Sequence, residues 1–218
     1  MSAWVATPLV TLRPASSGRH AAWNPSTAFG VAQTRSRGTI GGSCCHLDPA
    51  AELPALCALL DVEFDVVGTN GSRIVKAADW FQGYLQSALE ESEVLRAIRW
   101  RSWPSGHGTG FEEYARRRGD FAIAGATALL DLAGDSSIRS ASIVVFGVEP
   151  SPVRLTQAEQ ALVGRRLDEG ALAAVAEAAR GLDPMSDAHV SVDYRRHLAG
   201  VVTRRALLQA GQSAEMPA

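Results

Sequence analysis

Lysine is almost missing from this chain. Of its 21 basic residues only Lys76 is a lysine, a bias we assign to genomic composition and not to chemistry. Acidic residues number 23, so the formal net charge is only −2. No one-signed field is present to draw the chain onto nucleic acid or an anionic membrane surface. Cysteine is scarce as well, with Cys44, Cys45 and Cys57 alone. An odd count with two adjacent members is not a disulfide framework, and no CxxC pair or His/Cys spacing points to zinc. Such cysteine usage fits a reducing cytoplasm. The start, Met1-Ser2-Ala3-Trp4, lacks the basic region and apolar run of a secretory signal. No window approaches the ~20 apolar residues of a membrane span. What remains is a chain of 218 residues with 46% apolar content, enough for one large domain or two small ones around a packed core.

Periodicity divides the chain into an α+β pattern. Residues 1–34 form a divergent segment. Trp4 to Leu12 reads as one strand, pushed towards a sheet edge by Pro8, and Arg13 to Gln33 reads as loop. Gly41-Gly42 reads as a tight turn able to take positive φ and approach a ligand closely. Asp48-Pro49 reads as a helix cap with proline at the first helical position, ahead of Leu53, Leu56, Leu59 and Leu60. Val62–Gly68 and Arg73–Lys76 form a hairpin about Asn70-Gly71. Ala77 to Leu85 is a short helix and loop, and Glu93–Trp100 is a strand. Beyond the loop at Trp103–Gly110, three strands are expected at Phe111–Arg118, Phe121–Leu132 and Ile138–Val148, an antiparallel meander. Helices follow: one from a capping box at Thr156–Glu159, an alanine-rich one over Glu169–Arg180, and one over Asp193–Gln209.

Several strings resemble the FAD-carrying medium subunit of the carbon monoxide dehydrogenase and xanthine dehydrogenase family of molybdenum hydroxylases. They are Arg35-Ser36-Arg37-Gly38-Thr39-Ile40-Gly41-Gly42-Ser43, then His46-Leu47-Asp48-Pro49-Ala50-Ala51-Glu52-Leu53-Pro54. Asp79-Trp80-Phe81-Gln82-Gly83-Tyr84, Gly119-Asp120-Phe121-Ala122 and His189–Leu198 continue the likeness to about residue 210. The resemblance implies the remnant of a flavin-binding middle subdomain over 35–103. It also implies a C-terminal domain over 104–212, a three-stranded antiparallel sheet packed with a helical bundle. Family members carry a longer leading stretch with a first Gly-Gly flavin segment. Nothing similar stands before residue 35, so the resemblance reads as a subunit truncated at its N-terminus.

Carried over by position, the resemblance puts Thr39, Ile40, Gly41, Gly42 and Ser43 on the flavin pyrophosphate. His46, Asp48 and Glu52 fall near the ribityl chain and flavin, and Asp120 near the isoalloxazine. Two functions follow. In the first, half of the phosphate clamp is missing, several charge-assisted hydrogen bonds are lost, and flavin affinity falls by orders of magnitude. The chain is then a catalyst without cofactor, cyclising, isomerising or dehydrating a small-molecule substrate, alone or as a homo-oligomer. His46, Asp48, Glu52, His107 and Asp120 would transfer protons, in a groove lined by Trp80, Tyr84, Trp100, Trp103 and Tyr114. In the alternative, the chain binds FAD and passes electrons beside molybdopterin and iron–sulfur subunits.

Overall fold

The computed structural model describes residues 37–117 and 119–215; the edge strand expected at Trp4–Leu12 lies outside them. Two short helices, α1 (Ile40–His46) and α2 (Glu52–Leu59), precede β1 (Glu63–Gly68) and β2 (Gly71–Lys76). One turn of helix, α3 (Ala77–Trp80), leads to a small hairpin of β3 (Phe81–Gly83) and β4 (Gln86–Ser87), then β5 (Glu93–Arg99). The second half holds β6 (Gly108–Tyr114), β7 (Ala124–Leu132), β8 (Ile138–Phe146) and β9 (Val153–Arg154), followed by α4 (Thr156–Leu162), α5 (Glu169–Arg180) and α6 (Val192–Glu215). One sheet runs β2-β1-β5 and another β6-β7-β8-β9, both antiparallel throughout. The architecture is α+β, as expected. The meander gains a short fourth strand, and its first strand starts earlier and stops at Tyr114.

Local chemistry explains most boundaries. The β1–β2 hairpin turns at Thr69-Asn70, with Gly71 at φ 115° opposite Gly68, a conformation that glycine adopts without steric cost. Asp168 caps α5 by accepting the Ala171 N–H at 2.7 Å. The capping box expected at Thr156 does not form: α4 follows Leu155, which makes no side-chain cap. Nor does Asp48 cap α2. Its Oδ1 accepts the Ala50 N–H at 2.8 Å and closes a turn, and the helix begins four residues later behind Ala51.

Helix α2 is apolar on every side because it packs against two sheets. Cys57 faces the small sheet, in a cluster with Val62, Phe64, Val66, Val75, Trp80 and Leu95. Ala55, Ala58 and Leu59 face the large sheet, in a cluster with Leu129, Val144 and Phe146. A helix with no polar face must be enclosed. The terminal carbonyls of α2 have no partner inside the helix; the Leu60, Val62 and Asp61 N–H groups take up those of Leu56, Cys57 and Ala58, and the second half completes the end. Ser142 Oγ donates to Leu59 O at 2.6 Å, and Arg154 Nη1 to Ala58 O at 3.3 Å. Arg154 is held by Glu159 at 2.6 Å, and the same carboxylate oxygen accepts the Ile143 N–H at 2.7 Å. The Gly147 N–H donates to Pro49 O at 2.7 Å, just upstream of α2.

The other face of the large sheet carries α5 and α6. Small residues make this contact close: Ala124, Ala126 and Ala128 on β7 lie in one core with Ala199, Ala206 and Ala210 on α6. A Cβ built on Gly110 would sit 1.8 Å from Ala206 O, and one on Gly108 1.8 Å from Ala210 O. Arg195, near the start of α6, is buried. Its Nη1 donates to Gly147 O at 2.7 Å and Ile123 O at 3.1 Å, and its Nη2 pairs with Asp187.

Alternation along β6 sends Glu112 towards α6, where it meets Arg205 and Gln209 at 3.1 and 3.0 Å. Glu113 therefore points to the α2 side, half-buried, where it feels the charge of Glu52. Burial first, then the like charges of Glu52 and Glu112, push the Glu113 carboxyl up from 4.5 to about 7.

Two outcomes follow from this packing. Gly110→Ala is expected to cost about 2–3 kcal/mol by overpacking, seen as a Tm several degrees lower. Gly134→Ala, with nothing within 4 Å of the new Cβ, is expected to stay within about 0.5 kcal/mol of the parent. The raised Glu113 pKa means the folded chain holds a proton that the unfolded chain has released between pH ~4.5 and ~7. Stability from this group thus falls as pH rises through that window, and the full cost stands above it. Glu113→Gln is expected to be more stable than the parent at pH 8, by on the order of 1 kcal/mol after solvent screening. The gap should close near pH 5; urea midpoints at the two pH values read it.

Candidate functional site

The segment Thr39–Ser43 is a helix start, not the tight turn expected. Thr39 is extended (φ −125°, ψ 155°), and its Oγ1 accepts the Gly42 N–H at 2.9 Å. The Ser43 N–H closes the first helical bond to Thr39 O at 3.1 Å. Gly41 and Gly42 take helical φ, so positive φ is not the reason for glycine here. Bare backbone is: Gly42 is exposed and Gly41 half-buried. A Cβ on Gly42 would press on Thr39 Oγ1 at 2.9 Å, whereas one on Gly41 would meet only Leu95 Cδ2 at 3.8 Å. A helix start with two adjacent glycines in its first turn leaves room for a phosphate group beside the N–H groups that have no partner inside the helix. The residues present therefore fit one side of a flavin pyrophosphate.

The chain end of α1 is fixed by the core beneath it. Leu47 closes the helix in the left-handed region (φ 53°, ψ 46°), its N–H reaching Ser43 O. Trp80 Nε1 donates to Cys44 O at 2.8 Å, and its ring stacks on Phe64 at 4.0 Å. Cys44 and Cys57 touch through their sulfurs at 3.5 Å, joining α1 to α2. The Cys44 thiol is held well above its usual range, first by its hydrogen bond to Cys57 and then by burial.

The five proposed proton-transfer residues do not converge. His46 is exposed in the last turn of α1, at the opposite end from Thr39. Asp48 is taken up by its turn with Ala50. Glu52 opens α2, on the Glu113 side of the inter-sheet seam. His107 precedes β6, with Nδ1 2.7 Å from Pro104 O. Asp120 is exposed in the connection after β6, its N–H bonded to Arg117 O. His107 and Asp120 thus flank opposite ends of a seven-residue strand, about 20 Å at ~3.4 Å per residue.

The aromatic groove does not form either. Trp80 is wholly buried core. Trp103 packs on the α2 seam, 5.9 Å from the His107 ring. Tyr84 and Trp100 are more than half exposed on separate loops. Tyr114 meets the edge of Tyr194 at 6.4 Å, with the hydroxyls 3.4 Å apart, across β6 and α6. Short-range pattern identifies aromatics but not which layer of the fold each one enters. Glu113, Arg195 and the Cys44–Cys57 contact were not found from sequence. The Glu112-Glu113 doublet on a strand was the available signal for the first.

Two open depressions, over the β1–β2 hairpin and beside the Asp131–Arg139 pair, contain none of these candidates. Among the described residues no group of three His, Cys, Asp or Glu side chains could hold a metal, and no helix is long and apolar enough to cross a membrane.

Comparison with known proteins supplies what geometry leaves open. Residues 10–100 match the family described as FAD binding domain in molybdopterin dehydrogenase, and residues 109–210 the CO dehydrogenase flavoprotein C-terminal domain. The carbon monoxide dehydrogenase medium chain of Afipia carboxidovorans is 40% identical over 179 residues, 82% of this chain and 62% of that protein. The nicotine 6-hydroxylase medium subunit of Paenarthrobacter nicotinovorans is 36% identical over 198 residues, 90% of this chain and 66% of that protein. Reconstituted CO dehydrogenase from Oligotropha carboxidovorans superposes with a TM-score of 0.82 at 37% identity, covering 86% of this chain and 66% of that one. Quinoline 2-oxidoreductase from Pseudomonas putida 86 gives 0.80 at 37%, covering 87% and 66%. The chain spans roughly three fifths to two thirds of these relatives' length. The FAD-domain match starts at residue 10, inside the stretch where no likeness was expected. These matches overturn the cofactor-free cyclase or isomerase and point to FAD. On both matches and on the superposed structures, this chain belongs to the FAD-binding medium-subunit family of the carbon monoxide dehydrogenase type.

Proposed function

We propose that the chain is the flavin-carrying component of a molybdenum hydroxylase, an oxidoreductase assembled with molybdopterin and iron–sulfur subunits. The observation that carries this reading is the Thr39–Ser43 segment: its sequence follows the family's flavin string, and its two glycines stand in the first turn of a helix. On this reading residues 35–103 form the flavin-binding portion and residues 104–212 the C-terminal portion. Thr39, Ile40, Gly41, Gly42 and Ser43 hold the pyrophosphate, the Ile40 and Gly41 amides ahead of the first helical bond and the Thr39 and Ser43 hydroxyls facing it across the two glycines. Ser43 replaces the family's usual asparagine, so a hydroxyl takes the place of an amide with two polar ends. His46, Asp48, Glu52 and Asp120 are candidates for contacts along the rest of the cofactor. FAD, when bound, supplies the redox chemistry; the chain's own part is to grip and orient it. The relatives' names, from carbon monoxide dehydrogenase to nicotine 6-hydroxylase, cover dissimilar substrates, so substrate choice rests with the assembled enzyme.

Gly41→Ala tests the phosphate assignment without disturbing the fold. Its Cβ meets only ordinary contact with Leu95, and alanine in a helix is favoured over glycine by about 1 kcal/mol. The expected result is an unchanged or higher Tm with FAD affinity about tenfold lower or worse, as one lost phosphate contact is worth ~1.4 kcal/mol or more. Flavin fluorescence titration of the purified chain reads it. Equal affinity in parent and variant would remove Thr39–Ser43 from the site, and a parent that takes up no FAD would remove the reading itself.

A further inference from the structure

We propose that Cys44 and Cys57 are a redox-modification site: a dithiol that closes to an intramolecular disulfide across the α1–α2 elbow.

All three cysteines of the chain are free, and Cys44 and Cys57 are both buried. Their sulfurs are 3.5 Å apart, in contact, although the residues are 13 apart in sequence and lie on different helices. A disulfide needs ~2.05 Å, so closure requires the sulfurs to approach by about 1.5 Å. Cys45, the remaining thiol, is half-buried on the next residue of α1 and makes no such contact.

The hydrogen bond to Cys57 and the burial that together hold the Cys44 thiol protonated slow its oxidation at rest, since the thiolate is the nucleophile. Reaction therefore waits on local opening. Helix α1 has only seven residues, and short elements open well below the free energy of global unfolding. The chemistry balances with a hydroperoxide as oxidant. One thiolate attacks the peroxide oxygen and becomes a sulfenic acid, releasing an alcohol or water. The second thiol attacks that sulfur, the S–S bond forms, and water leaves. Two thiols and one hydroperoxide give one disulfide, one alcohol and one water. The product ties the Thr39–Ser43 helix to α2 by a covalent bond in place of a weak S–H···S contact.

The test is hydrogen peroxide treatment of the native chain at pH 7.5, followed by denaturation, alkylation of remaining thiols and peptide mass mapping. The expected result is a Cys44–Cys57 cross-linked peptide with Cys45 alone alkylated, reversal by dithiothreitol, and a Tm several degrees higher when oxidised, because the bridge constrains the unfolded chain. Cys45→Ser leaves the buried pair intact and should give the same link as a monomer on a non-reducing gel. Full alkylation of both Cys44 and Cys57 after treatment, or a link that involves Cys45 instead, would overturn the proposal. Neither outcome depends on whether FAD binds.

Discussion

The structure depends on a helix with no solvent face. Eight residues, Glu52–Leu59, lie between the small and large sheets and contribute to the core of each. Enclosing such a helix creates a problem at its C-terminus, where carbonyls cannot reach water. The residues after the helix bond three of them, Ser142 takes the last at Leu59, and Arg154 adds a second bond at Ala58; the Glu159 carboxylate holds Arg154 in place while bonding β8. The two halves are thus joined by apolar burial and by hydrogen bonds that neither half can make alone.

This join decides where the flavin segment sits. Helix α1 packs on the small sheet through Cys44 and through the Trp80 bond to its backbone. The small sheet is positioned against the large one by α2 and by the Gly147–Pro49 bond. Gly147 also accepts nothing weaker than a buried guanidinium: its carbonyl is bonded by Arg195 of α6. One residue therefore links the loop before α2 to the longest helix of the second half. Gly42 in the first turn of α1 stays exposed, while Ile40 and Cys44 pack on the small-sheet core behind it. The placement of Glu113 on that seam has a cost, because its carboxyl is half-buried and feels the like charges of Glu52 and Glu112.

Much of this was legible in the sequence, and the exceptions have physical causes. The strings from Arg35 to Pro54 and from Gly119 to Ala122 carried the family; alternation located β1, and runs bounded by turn residues located β2, β5, β7 and β8. The Gly41-Gly42 pair misled because two glycines signal a turn locally, yet Thr39 caps them into a helix through a side-chain bond three residues away. Asp48-Pro49 looked like a cap, but the Asp48 carboxylate satisfied Ala50 first. Trp80 was assigned to a groove because an aromatic beside Phe81 and Tyr84 has no periodic signal of depth; its partner, Phe64, is on another strand. The largest error was functional. A cofactor-free enzyme followed from the lack of a recognisable first flavin segment, whereas the FAD-domain match reaches back to residue 10. Weak likeness spread over many positions outweighs one absent string.

If α2 truly serves two cores, the chain unfolds as one unit. Native-state hydrogen exchange followed by mass spectrometry measures this directly. The account predicts that amides of α2, of β1 in the small sheet and of β7 in the large sheet open with the same free energy and the same denaturant dependence, that of global unfolding. Exchange of β1 and α2 at a distinctly lower free energy, with β7 still protected, would contradict it.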